Sequence, residues 1–205
     1  MGSLIVTGGT RPPVFLLEEE AKRADLIIAS DRGYNYLTDA GIAVDIAVGD
    51  FDSLLGEELK AGEIYRHKSE KDETDTELAL SVALEKGHGE MTLLGAWGSR
   101  WDHSLANIFL LEQIQEKGGR LTIKDENNVL FLAAPGSYTL EKDKTYVSLL
   151  PLSPWVEYST ENFAYEVHHL RLKRGTPRGV SNELLGRRGR LTIHEGMALV
   201  FQSQD

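Results

Sequence analysis

The chain has 205 residues, 41% hydrophobic and 26% charged, enough for one large or two small globular domains. A net charge of −10 excludes a general nucleic-acid binder, which would show a basic face. With no cysteine, and no apolar run near the roughly 18 residues of a membrane span, a cytoplasmic protein with no membrane partner is expected.

The first half alternates strand and helix signals. Leu4-Ile5-Val6 reads as a strand running into Gly8-Gly9, where backbone can approach a ligand closely. Thr10 is expected to cap a helix whose first turn holds Pro12 and Pro13. Leu26-Ile27-Ile28-Ala29 reads as a second strand, ending in Ser30-Asp31-Arg32-Gly33, and a helix from Arg32 to Ala40 stops at Gly41. Asp45-Ile46-Ala47-Val48 is a third strand, followed by Gly49-Asp50-Phe51-Asp52-Ser53. Asp50 and Asp52 therefore stand at a strand's carboxyl end, the edge where open α/β sheets bind ligands. Two such carboxylates repel by about 1 kcal/mol in water at ~4 Å, and Mg²⁺ removes that penalty. Both also suit capping of the next helix, expected from Leu54 to Lys60.

After a strand at Glu63-Ile64-Tyr65-Arg66 comes a polar cluster, His67 to Glu77. Thr74 with Glu77 fits a capping box, which places Asp75 in the first helical turn and Asp72 just before it. Acidic residues favour helix N-termini for structural reasons alone. Lys68 and Lys71 beside the aspartates add the mixed charge expected around a metal–phosphate complex. Met91 to Leu94 is a further strand and leaves through Gly98-Ser99-Arg100-Trp101-Asp102-His103. Arg100 suits a forked contact with phosphate oxygens, and Asp102 can cap its helix or pair with Arg100. His103 fits either an acid–base or an orienting role. The helix from about Asp102 to Lys117 draws its apolar positions from Leu105, Ile108, Phe109, Leu111 and Ile114.

Beyond Leu121-Thr122-Ile123 no long helical period remains. Short runs such as Val129–Ala133, Tyr146–Leu150, Arg190–Ile193 and Ala198–Phe201, punctuated by proline and glycine, predict an all-β sandwich of about eight strands. The expected division is an α/β catalytic domain over 1–125 and the sandwich over 126–205. Within the sandwich, Arg174 to Glu183 stands out as a polar loop, which also reads as an ordinary solvated connection.

Five motifs occur in order: Gly49-Asp-Phe-Asp-Ser, Lys71-Asp-Glu-Thr-Asp-Thr-Glu, Gly98-Ser-Arg-Trp-Asp-His with Asn107, Ser148-Leu-Leu-Pro-Leu-Ser, and Val180-Ser-Asn-Glu. In that order and spacing they resemble the thiamine pyrophosphokinases across nearly the whole chain. The resemblance implies a Rossmann-like α/β domain with a mostly parallel sheet, a C-terminal β-sandwich, and a homodimer with active sites at the subunit interface. It implies transfer of diphosphate from ATP to thiamine with Mg²⁺, giving AMP and thiamine diphosphate. By the same resemblance Asp50, Asp52 and Asp75 hold the metal, with Asp72 and Lys71 around it. Arg100, Asp102, His103 and Asp31 lie beside ATP, and Ser181, Asn182 and Tyr165 meet thiamine. Two segments depart from the family pattern: Arg32 replaces a glycine of Ala-Asp-Gly-Gly, and Asn162-Phe163-Ala164-Tyr165 replaces Gly-Leu-Lys-Tyr/Trp.

There is no Gly-x-x-x-x-Gly-Lys-Ser/Thr phosphate loop, which argues against an ordinary P-loop kinase. Asp72 or Asp102 could accept the proton of the attacking hydroxyl. Two rival readings stay open: a diphosphokinase for another hydroxymethyl heterocycle such as a pterin, and a non-catalytic nucleotide- or thiamine-binding regulator.

Overall fold

In the computed structural model, which describes residues 2–50, 59–66 and 73–205, the short apolar runs of the first half become parallel strands. The chain divides into two compact units, Met1–Glu126 and Asn127–Asp205. In the first unit, β1 (Gly2–Val6), β2 (Leu26–Ser30), β3 (Val44–Gly49), β4 (Ala61–Arg66), β5 (Glu90–Leu94) and β6 (Arg120–Lys124) lie in the order β4-β3-β2-β1-β5-β6. Every neighbouring pair among these six is parallel. The order runs one way from β1 through β2 to β4 and the other way through β5 to β6. The switch point, where ligands bind in such sheets, thus lies between β1 and β5.

Among the described residues four α-helices accompany these strands: α1 (Val14–Ala21), α2 (Gly33–Asp39), α3 (Asp75–Glu85) and α4 (Trp101–Glu116). Among the described residues no helix is long and apolar enough to cross a membrane. Two expectations need correction. The first helix begins after Pro13, which occupies its N-cap, so Thr10 caps nothing; its N–H goes instead to the Trp97 carbonyl. In α4 the buried side is Asn107, Leu110, Leu111 and Ile114, an i, i+3, i+4, i+7 stripe. Leu105 and Phe109 lie off that stripe and are more than half exposed. The helix expected over 54–60 falls mostly outside the described residues.

The second unit is a β-sandwich, as the short alternating runs predict. One sheet contains β7 (Asn128–Ala133), β13 (Ala198–Ser203) and β9 (Tyr146–Pro151); the other has the order β11 (Leu170–Lys173), β10 (Trp155–Glu161), β12 (Arg188–Glu195), β8 (Gly136–Glu141). Every strand pairing within the unit is antiparallel. Val147, Leu149 and Val200 from one sheet meet Val156, Leu191 and Ile193 from the other in a single core. Seven strands form rather than eight, because residues 162–185 outside β11 are loop and turn. Two isolated bridges, Phe163 with Leu184 and Val147 with Asn182, tie that stretch down.

Candidate active site

A cleft of ≈ 940 Å³ opens at the switch point of the first unit. Its floor is backbone: Thr7, Gly8 and Gly9 after β1, and Gly95 to Gly98 after β5. Gly9 donates to the Gly95 carbonyl at 3.0 Å, and a Cβ at Gly9 would stand 2.1 Å from that oxygen and 2.3 Å from the Trp97 carbonyl. Only glycine permits this approach. The Tyr36 hydroxyl donates to the Gly9 carbonyl at 2.9 Å, and Asn107 Nδ2 donates to the Ala96 carbonyl at 2.7 Å, so both walls are fixed from behind.

Among the described residues four carboxylates line this cleft: Asp31 after β2, Asp50 after β3, Glu73 just before α3 and Asp75 in the first turn of α3. Asp75 is placed by the cap that the sequence predicts, since Glu77 N–H donates to Thr74 Oγ1 at 3.2 Å. A second anchor is Thr7 Oγ1 to Thr76 Oγ1 at 2.8 Å, buried, which ties the end of β1 to the start of α3. Asp31 is held in the left-handed region, φ 51°, by its N–H to the Val48 carbonyl at 3.2 Å. Such backbone strain gathers at functional positions. Burial, then the Asp75 charge and hydrogen bond, then Asp50, push the Asp31 carboxyl up to about 7, with Arg32 opposing the rise. Arg32 adopts ordinary helical φ and ψ, so its replacement of a glycine costs no backbone strain. The glycine required here is Gly33, whose Cβ would meet the Val6 carbonyl at 1.9 Å.

A set of hard oxygens whose mutual repulsion raises the Asp31 carboxyl is chemically suited to Mg²⁺. Among the described residues no group of three or more His, Asp or Glu side chains is arranged to hold an ion alone. Mg²⁺ commonly takes only one or two carboxylates and fills its shell with water and substrate phosphate, so the donors present fit it. Asp52, Lys68, Lys71 and Asp72 lie outside the described residues.

Arg100 and His103 line the same cleft from the start of α4. Asp102 does not cap this helix, whose N-cap is Arg100; it accepts a forked pair from Arg100, Nε at 3.2 Å and Nη2 at 2.6 Å. The guanidinium holds the Asp102 carboxyl below the usual carboxylate range, which makes it a weak proton acceptor. Both side chains are about two-thirds exposed, so the pair orients Arg100 and adds little stability.

In the second unit Ser181, Asn182 and Tyr165 do come together. Asn182 Oδ1 accepts from Tyr165 N–H at 3.0 Å, while its Nδ2 donates to the Tyr165 carbonyl at 2.8 Å. The Asn182 amide is thus occupied in presenting Tyr165, which is 73% exposed. Ser181 sits at φ 60° with its N–H donated to Ser148 Oγ at 3.0 Å. Sequence reasoning missed Thr7, Thr76 and Trp97 as cleft residues. The two threonines are 69 positions apart, and no local pattern links them.

Comparison with known proteins places the chain in a family. The family signature described as "Thiamin pyrophosphokinase, catalytic domain" matches residues 17–123, and "Thiamin pyrophosphokinase, vitamin B1 binding domain" matches 137–198. The chain is 34% identical to a thiamine pyrophosphokinase of Bacillus subtilis over 209 residues, 98% of each. A crystal structure of a thiamine pyrophosphokinase from Bacillus subtilis superposes with a TM-score of 0.88 at 31% identity, covering 100% of both chains. A thiamin pyrophosphokinase family protein from Enterococcus faecalis gives 0.89 at 32% identity, again over 100% of both. With both family signatures present and a relative matched end to end at this identity, the chain belongs to the thiamine pyrophosphokinase family.

Proposed function

We propose that the chain transfers a diphosphate group from ATP to the hydroxyl of thiamine, releasing AMP and thiamine diphosphate, with Mg²⁺ as cofactor. The observation that carries the reading is the Asp31–Asp50–Asp75 cluster facing Arg100 across a glycine-floored cleft at the switch point. Phosphoryl-type transfer asks a protein mainly for positioning and charge stabilisation. Asp50 and Asp75, with Asp52, would hold Mg²⁺, which when bound neutralises charge on the transferred phosphates. Arg100, aimed by Asp102, binds phosphate oxygens, and the backbone amides around Gly98 orient the nucleotide. Ser181 and the Asn182-supported Tyr165 position thiamine.

The test is to incubate purified protein with ATP, Mg²⁺ and thiamine and to follow phosphorus resonances. AMP and thiamine diphosphate are expected in equal amounts, with no ADP and no thiamine monophosphate, and EDTA should stop the reaction. ADP as the main product would sink the reading. AMP formed only with a pterin would move the substrate to the rival heterocycle.

The same reading makes the protein a cytoplasmic homodimer in which Ser181 of one subunit serves a cleft whose aspartates belong to the other. The family resemblance supports it. Mixing inactive Asp75→Asn and Ser181→Trp subunits should restore part of the activity, because one site of the heterodimer carries neither lesion. A mixture that stays dead would place each site within one chain.

A further inference from the structure

Arg32 lines the cleft and is exposed, and the resemblance that gives roles to the other charged residues there implies none for it. Its backbone is fixed on both sides. A Cβ at Gly33 would stand 1.9 Å from the Val6 carbonyl, and one at Gly8 would stand 3.3 Å from the Arg32 nitrogen. The turns after β1 and β2 are therefore pressed together around this residue. Its carbonyl also accepts from Tyr36 N–H at 3.2 Å.

The guanidinium is not occupied within the protein. Arg11, Arg23 and Arg100 of the same unit each form an ion pair, with Asp39, Glu19 and Asp102. Arg32 forms neither an ion pair nor a side-chain hydrogen bond among the described residues. Its charge opposes the rise of the Asp31 carboxyl without the two closing to ion-pair distance. Arg32 and Arg100 reach the cleft from opposite flanks. Arg32 follows β2 and Arg100 lies beyond β5, with β1 between them in the sheet, a separation of two strand spacings or about 10 Å.

We propose that Arg32 is a specificity residue that binds the nucleotide's phosphates beyond the α-phosphate, from the carboxylate side of the cleft. The inference rests on the diphosphotransfer reading, in which those two phosphates are the group transferred. In that reading the phosphates lie at the aspartates, and Arg32 directly follows Asp31. A guanidinium makes forked, charge-assisted contacts with phosphate oxygens. Arg100 binds from the β5 side, so the two cations share the polyphosphate and Arg32 takes its distal part. AMP has no distal phosphate and gains nothing from Arg32. The residue therefore separates the substrate nucleotide from the released one and favours exchange of AMP for ATP.

The test is calorimetric titration of the full chain with ATP and with AMP, in Mg²⁺ and without thiamine. Arg32→Gln should weaken ATP about 10-fold, the worth of one charge-assisted contact, and leave AMP within about 2-fold. Arg32→Lys should restore part of the ATP affinity, since the charge is kept and the fork is lost. The ratio of the two affinities is read within each protein, so a change in overall stability does not enter it. In turnover the KM for ATP should rise by a similar factor, kcat should fall by less, and the KM for thiamine should stay level. Arg32→Gln binding ATP as wild type does overturns the inference and leaves Arg32 a counter-charge to the carboxylates. Equal losses for ATP and AMP also overturn it, because they place Arg32 at the α-phosphate or the ribose. Failure of wild type to bind ATP, with no AMP formed in the turnover assay, overturns the diphosphotransfer reading instead.

Discussion

Replacing Asp31 with asparagine should stabilise the metal-free protein at pH 8 and leave it unchanged near pH 4. The Asp31 carboxyl rises from 3.8 to about 7 through burial first, then through Asp75 and Asp50. A carboxyl whose folded pKa lies above its unfolded one binds its proton more tightly in the native state. Its contribution to stability is therefore complete below pH 4 and is lost as the pH climbs through 7. Three units at 1.36 kcal/mol each would amount to about 4 kcal/mol. Solvent on the open side of the cleft screens these charges and brings the expected loss to about 1–2 kcal/mol. For a chain of this length that is about 2–8 °C in melting temperature. Scanning calorimetry of EDTA-treated protein at pH 4 and pH 8 reads it directly and separates transitions of the two units if they melt apart. Wild type should lose several degrees more than Asp31→Asn between the two pH values. Mg²⁺ added at pH 8 should raise the wild-type midpoint more than the mutant's. An Asp31→Asn protein that melts lower than wild type at pH 8, or both proteins falling in parallel with pH, would refute the like-charge account of this cleft.

Two further outcomes follow from the cleft walls. Gly9→Ala drives a methyl group to 2.1 Å from the Gly95 carbonyl, so it should cost about 2 kcal/mol or more and reduce turnover at least 100-fold, measured by denaturant melts and AMP release. Thr74→Ala removes the hydrogen bond to Glu77 N–H and should cost about 1 kcal/mol, while Thr74→Asp, an equally good cap, should recover both stability and activity.

The fold is legible because its signals are local. Leu4-Ile5-Val6 and Leu26-Ile27-Ile28-Ala29 are too short and too apolar for anything but buried strands, and each ends at residues suited to a turn. Thr74 marks the start of α3 for a reason contained within four residues. The errors arose where the decision belonged to distant chain. Thr10 has the chemistry of a cap, but the Trp97 carbonyl, 87 positions away by residue number, claims its N–H before the helix begins. Leu105 and Phe109 look like core on composition alone. The packing of Asn107, Leu110, Leu111 and Ile114 decides which stripe of α4 is buried, and that choice leaves both outside it.

The site divides along the same line. Asp50, Asp75 and Arg100 were readable because each follows a strand or opens a helix, and strand ends at a switch point converge on one cleft whatever their separation in sequence. What no local pattern carries is the long-range contact that raises the Asp31 carboxyl beside them. Asp31 and Asp75 are 44 positions apart by residue number, and the rise that Asp75 contributes to the Asp31 carboxyl depends on how closely α3 is drawn to the end of β1. The buried Thr7–Thr76 hydrogen bond makes that connection. The same holds in the second unit, where Asn182 reads as a ligand contact but spends its amide on the backbone of Tyr165. In both units the candidate site residues announce themselves by type, and the residues that position them are found only once the chain has folded.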